Sequence, residues 1–274
     1  MNPLALVVED DANTRRLLEV LLTRFGFDVD PVSNGTDALL LLPAVDYDAV
    51  FLELVLPGVS GADVLARVAA SRPELLARCT IVSSAAAQLE RVRQQWPGVR
   101  VIRKPFDLSE IVATAQALTT GRTPRAATLD ELFARRSVAL GAKAGVVALR
   151  HDDVLEPVVS FGYARAVIEQ YTPIRVADPY PLSLAARDAR PVWLTSVTTA
   201  AAEYPMLLPA LQQSDSRALA AVPLVRDGRT VGAVGWSFRE PHLFAEPEQR
   251  AFHEVSEMIL RRFEPPQSVD ATRA

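Results

Sequence analysis

The sequence predicts an α/β fold followed by an α+β fold: a (βα)5 doubly wound parallel sheet, then an antiparallel sheet flanked by helices. Three observations carry this. Residues 4–119 alternate short apolar runs with amphipathic stretches five times over, as a parallel sheet covered on both faces requires. Residues 120–127, TGRTPRAA, hold Gly121 and Pro124 and few large apolar groups, which marks a linker. Further on, Asp227-Gly228 between two strand-like runs signals a β-hairpin. A chain of 274 residues has room for two such domains.

The predicted strands of the first half are Leu4–Val8, Phe27–Val32, Ala49–Glu53, Cys79–Ser83 and Val99–Ile102. Between them, Asn13–Phe25, Asn34–Pro43, Gly61–Ser71, Ala86–Trp96 and Asp107–Thr119 carry apolar residues at three- and four-residue spacing. Leu17, Leu18, Leu21, Leu22 and Phe25 form one such stripe. Past the linker, a helix over Thr128–Leu140 leads to strands at Lys143–Arg150 and Val154–Gly162. A proline-rich, less regular middle follows, then the hairpin SRALAAVPLV–RDGR–TVGAVGWSF. The last helix, Pro247–Arg262, places Phe252, Val255, Ile259 and Phe263 on one face. The second domain is thus expected over 128–264, with 265–274 as a disordered tail.

Composition narrows the function. Hydrophobic residues at 49% and charged residues at 23% describe a globular chain. A net charge of −4 argues against a nucleic-acid surface. The leading apolar run, Leu4–Val8, is too short for a signal peptide, and no later run approaches a membrane span, so the expectation is a cytoplasmic protein without a membrane partner. Cys79 stands alone, which excludes an internal disulfide and CxxC metal sites. His151, His242 and His253 lack metal-ligand spacing.

The chemistry gathers at the strand ends. Active residues of doubly wound sheets lie beyond the carboxyl ends of the strands. Those ends read Glu9-Asp10, Glu53, Ser83-Ser84 and Lys104-Pro105. Carboxylates converging there can hold Mg²⁺, and a hydroxyl and an ammonium opposite can bind phosphoryl oxygens. Only two of the 29 basic residues are lysines, Lys104 and Lys143. Such an Arg-rich chain that places Lys before Pro105 points to a need for a compact ammonium.

VVEDD at 7–11, FLELVLPGVSG at 51–61, Ser84-Ala85 and RKPF at 103–106 occur in order and at suitable distances. On these motifs residues 1–119 resemble a response regulator receiver domain, a flavodoxin-like fold that accepts a phosphoryl group from a histidine kinase onto Asp. The resemblance implies Glu9 and Asp10 as the acidic pair and Ser84 as the switching hydroxyl. It implies Lys104 as the phosphate-sensing ammonium, with a cis Lys104–Pro105 bond, and Asp10, Glu53 and the Val55 carbonyl as Mg²⁺ ligands. Two departures stand out. Val101 occupies the position of the usual rotating aromatic, and Glu53 replaces the phosphoacceptor Asp. The extra methylene displaces the nucleophilic oxygen by roughly 1–1.5 Å, enough to cost on the order of 10²-fold in rate. Phosphotransfer is therefore expected to be lost or very slow. Three readings follow: an inert docking module, a partly activated mimic, or a receiver still open to phosphorylation.

LGAKAGVVALRHDDVLEPVVSFGY, ARPVWLTS and the hairpin followed by FAEPEQRAF resemble a GAF domain, a ligand-binding and dimerisation module. With no cysteine in this half, a bilin or other cysteine-linked cofactor is not expected. Phe161, Tyr163, Trp193, Tyr204 and Trp236 are candidate pocket aromatics, although Val234, Trp236 and Phe238 share one face, which favours core packing. Helices at 128–140 and 247–262 offer a seam for a homodimer. Together these features imply a non-enzymatic, atypical response regulator working through a signalling partner such as a histidine kinase or a downstream regulator. A conventional phosphorylatable regulator and a small-molecule sensor are the alternatives, and a Mg²⁺-dependent phosphohydrolase is the competing enzyme class.

Overall fold

The computed structural model describes residues 2–121 and 125–263; the expected tail at 265–274 lies outside them. Contacts divide the chain into two units, Met1–Glu131 and Leu132–Ala274.

The first unit runs β1 (Leu4–Val8), α1 (Ala12–Arg24), β2 (Asp28–Val32), α2 (Gly35–Ala44), β3 (Ala49–Leu52), α3 (Gly61–Ser71), β4 (Cys79–Ser83), α4 (Ala86–Gln95), β5 (Arg100–Arg103) and α5 (Leu108–Thr119). All five strands are parallel, in the order β2-β1-β3-β4-β5. The central strands β3 and β4 are buried throughout, as uninterrupted apolar runs covered on both faces must be. Leu18 and Leu22 of α1 and Ile111 and Ala115 of α5 pack on Val7, Phe51 and Val82 on one face. Helix starts follow local chemistry. Asp11 caps α1 by accepting from Thr14 N, Asn34 caps α2 in the same way from Asp37 N, and Ser60 with Asp63 forms a capping box on α3. The strand order reverses between β1 and β3, so a crevice opens beyond their carboxyl ends.

The second unit continues α6 (Leu129–Ala139), whose first residues belong to the first unit, into β6 (Ala144–His151), β7 (Val154–Phe161), α7 (Arg165–Gln170), β8 (Ile174–Arg175), α8 (Pro181–Asp188), β9 (Val192–Leu194), α9 (Val197–Glu203), α10 (Leu208–Gln213), β10 (Ala218–Arg226), β11 (Arg229–Phe238) and α11 (Glu246–Arg262). The six strands form one antiparallel sheet, β8-β7-β6-β11-β10-β9. The β10–β11 hairpin closes through Asp227 (φ 50°) and Gly228 (φ 72°), the left-handed pair that a tight hairpin turn needs. Pro157 sits beside the register shift in β6–β7, a break in the ladder where proline is tolerated. The proline-rich middle folds into β8, α8, β9, α9 and α10. Phe252 of α11 packs against Trp236, with ring centroids 4.9 Å apart, and the Trp236 indole donates to Ser137 Oγ at 2.8 Å. No helix among the described residues is long and apolar enough to cross a membrane.

Candidate functional site

The crevice of the first unit is built by strand ends whose backbones remain tied to their neighbours. Glu9 N donates to Val32 O (3.1 Å), Glu53 N to Val8 O (2.9 Å) and Lys104 N to Ser83 O (3.0 Å). The sheet ladder thus continues one residue past the strands and fixes where these three side chains start. The Lys104–Pro105 bond is cis.

Lys104 Nζ lies 2.7 Å from Glu9 Oε2 and 2.7 Å from Glu53 Oε2. Both carboxylates are buried, Glu9 at 2% and Glu53 at 5% exposure, so the single ammonium is their charge partner. The other Glu53 oxygen, Oε1, accepts from Leu54 N (2.6 Å), Val55 N (3.0 Å) and the Ser83 hydroxyl. Burial pushes the Glu9 carboxyl up, and the neighbouring Glu53 charge adds to this; the Lys104 contact opposes it without reversing it. At Lys104 burial works downward, but the hydrogen bonds it donates to Glu53 and Glu9 outweigh it and the ammonium is held above its ordinary value.

The loop after Glu53 is shaped by glycine. Gly61 N donates to Leu54 O at 3.0 Å, and a Cβ at Gly61 would fall 2.1 Å from Glu53 O. Gly58 takes φ 73°. Gly61 therefore packs its backbone against that of Glu53 at a point where a side chain has no room.

Glu9, Glu53 and Lys104 meet as expected. Asp10 and Ser84 do not join them. Asp10 is exposed, with its carbonyl accepting from Arg15 Nη1 at 3.0 Å, because Glu9 holds the inward position at the end of β1. Ser84 is exposed one residue beyond β4, and it is Ser83, the last residue of the strand, that reaches Glu53. Val55 engages the site through its N–H, while the residue as a whole is 56% exposed.

Of the Mg²⁺ ligand set expected from Asp10, Glu53 and the Val55 carbonyl, Asp10 is exposed and Glu53 is already engaged. Both Glu53 oxygens already have partners, and a cationic nitrogen sits between the two buried carboxylates. Among the described residues no group of three or more His, Cys, Asp or Glu side chains could hold a metal ion. The donors present do not fit Mg²⁺, which demands a nearly regular octahedron of oxygens.

In the second unit, the candidate aromatics separate. Phe161 and Trp236 are core residues. Trp193 packs against Phe244 (5.1 Å) and Phe252 (5.8 Å), and Tyr204 packs on the Leu194–Leu207–Leu211 cluster. Of the five, Tyr163 lines the apolar cavity of about 160 Å³ whose other walls include Val146, Val167, Tyr171, Tyr180 and Leu211. No sequence signal marked those walls, because α7 and α10 have only six residues each, too few for a clear helical period.

A parallel five-stranded unit with an acidic crevice and a cis-proline lysine is thus followed by an antiparallel sheet unit. The response regulator receiver domain family matches residues 5–116 and the GAF domain family matches residues 123–259. The chain belongs to the GAF family through its second half and carries a response regulator receiver domain in its first. It is similar to the transcriptional regulatory protein TcrA of Mycobacterium tuberculosis, 35% identical over 127 residues that cover 46% of this chain and 49% of that protein. It is also similar to the transcriptional regulatory protein ResD of Bacillus subtilis, 31% identical over 114 residues, covering 41% of this chain and 46% of that one. The chain thus spans about half the length of the curated relatives it matches. Among solved structures, the non-phosphorylated HemR receiver domain from Leptospira biflexa aligns with a TM-score of 0.39 at 25% identity, over 45% of this chain and 99% of that domain.

Proposed function

We propose that this chain is an atypical response regulator whose receiver signals without accepting a phosphoryl group and acts through protein–protein contacts. One observation carries the reading: the Lys104 ammonium sits between Glu9 and Glu53, and Ser83 closes on the far Glu53 oxygen. A phosphoacceptor carboxylate must present a free oxygen to an incoming phosphorus. Here both oxygens are engaged, and the longer side chain has moved them from the position an Asp would give. The Glu53–Lys104–Ser83 linkage supports the activated-mimic form of this reading, because the contact that phosphate would make with lysine and hydroxyl is made by the carboxylate itself. On this reading the chain does no catalysis. It works in the cytoplasm as a homodimer, with a histidine kinase or a downstream regulator as partner and no nucleic acid or membrane, and the GAF domain serves as its sensory or dimerisation module.

The test is incubation with Mg²⁺ and acetyl phosphate beside Glu53→Asp. The native chain is expected to remain unlabelled. Labelling of the native chain at a base-labile bond that is lost in Glu53→Gln overturns the proposal.

A further inference from the structure

The cavity of the second unit has a volume of about 160 Å³ and lies between the sheet and the helices α7 and α10. Val146 and Leu219 line it from the sheet, Val167 and Ile168 from α7, and Ala210 and Leu211 from α10. No Asp, Glu, Lys, Arg or His lines it. A charged ligand would therefore enter without a counter-ion, which an apolar site strongly disfavours. Lys143, 8% exposed, is already engaged: it donates to the carbonyls of Ser214, itself a lining residue, and of Asp215, just past α10. Those bonds cap the helix end and fix it to the start of β6, so the wall formed by α10 is held open by the fold itself. Tyr171 and Tyr180 meet edge to face, with centroids 6.2 Å apart, and present aromatic surface to the same space.

The size decides the class. An apolar cavity of about this volume accepts a molecule the size of benzene. We propose that this cavity is a binding site for an uncharged, single-ring aromatic molecule. The inference stands apart from the receiver reading, since every wall belongs to the second unit. It can fail while the Glu53 proposal holds, and the reverse.

The test is thermal unfolding of the full chain with toluene, phenol and benzoate. Toluene and phenol are expected to raise the transition by a few degrees, increasing with concentration as RT ln(1 + [L]/Kd), while benzoate leaves it unmoved. Ala210→Phe and Val167→Phe, which place a ring in the space from two different helices, are expected to abolish the rise. Should either variant fail to fold, the parent chain decides by NMR: toluene should shift the methyl signals of Leu207 and Leu211 and leave those of Leu6 in place. An unmoved transition together with unmoved methyls overturns the proposal. So does a rise that survives in a folded filled variant, or an equal rise with benzoate.

Discussion

Lys104 and Glu53, separated by 51 positions in sequence, meet at 2.7 Å between Nζ and Oε2. The same ammonium holds Glu9, so removing it leaves two buried carboxylates facing each other without a cation. Breaking a buried pair costs about 3–5 kcal/mol, and the 21% exposure of the Lys104 side chain moves the expectation to about 2–3 kcal/mol for Lys104→Ala. Lys104→Arg should not restore it fully, because a planar fork does not occupy the place of a compact ammonium. Urea unfolding of both variants measures this. A loss under about 1 kcal/mol for Lys104→Ala means the carboxylates do not depend on the lysine.

Ser83 and Ser84 provide a sharper contrast. The Ser83 hydroxyl is buried and donates to Glu53; Ser84 is exposed. Ser83→Ala removes a donor from a buried carboxylate and is expected to cost about 1–3 kcal/mol. Ser84→Ala should stay within about 0.5 kcal/mol. Equal losses in denaturant midpoint at both positions would falsify the assignment of the hydroxyl to Ser83.

The same pair shows what the sequence could and could not disclose. The strands of the first unit are legible because fully buried parallel strands are written as unbroken apolar runs, and the strand ends then name Glu9, Glu53 and Lys104. Which of two adjacent residues turns inward is a matter of a single strand position, and Ser83-Ser84 and Glu9-Asp10 offer the same letters on both sides. Pleating settles that choice only once the last paired residue is known, and sequence periodicity fixes boundaries no better than a residue or two. The cavity of the second unit was illegible for another reason. Its walls come from the short helices α7 and α10, whose six residues each are too few for a clear periodic signal.

Glu131 makes the first unit acid-sensitive. Burial acts to raise its carboxyl, but the Arg125 guanidinium and the N–H groups of Thr128 and Asp46 outweigh it and hold the value at about 2, against an ordinary 4.5. A depressed carboxyl contributes stability in full above pH 4.5, and that contribution fades as pH falls toward 2. Since Arg125 is 44% exposed, the full amount is about 2 kcal/mol at most after solvent screening. The stability gap between the parent and Glu131→Gln should therefore be wide at pH 6 and narrow at pH 3 in urea titrations. A gap independent of pH means the Arg125 contact contributes nothing through charge.

Gly61 ties the loop to the ion cluster. A Cβ there would lie 2.1 Å from Glu53 O and 2.8 Å from Leu54 Cα, and both are backbone atoms that cannot swing aside. Gly61→Ala must move the segment that begins at Glu53, and so draw its carboxylate from Ser83 and Lys104. The expected cost is about 1–3 kcal/mol, as for other forced overpacking. Gly58 differs: its φ is 73° with nothing within 4 Å, so Gly58→Ala costs about 1 kcal/mol of local backbone strain and leaves Glu53 in place. Combination with Lys104→Ala separates the two. Gly58→Ala should add its loss to that of Lys104→Ala within about 0.5 kcal/mol, as independent sites do, whereas Gly61→Ala should add distinctly less than its own loss, since the contact it disturbs is already gone. Full additivity at both glycines would mean that the fit of Gly61 against the Glu53 carbonyl has no part in placing the carboxylate.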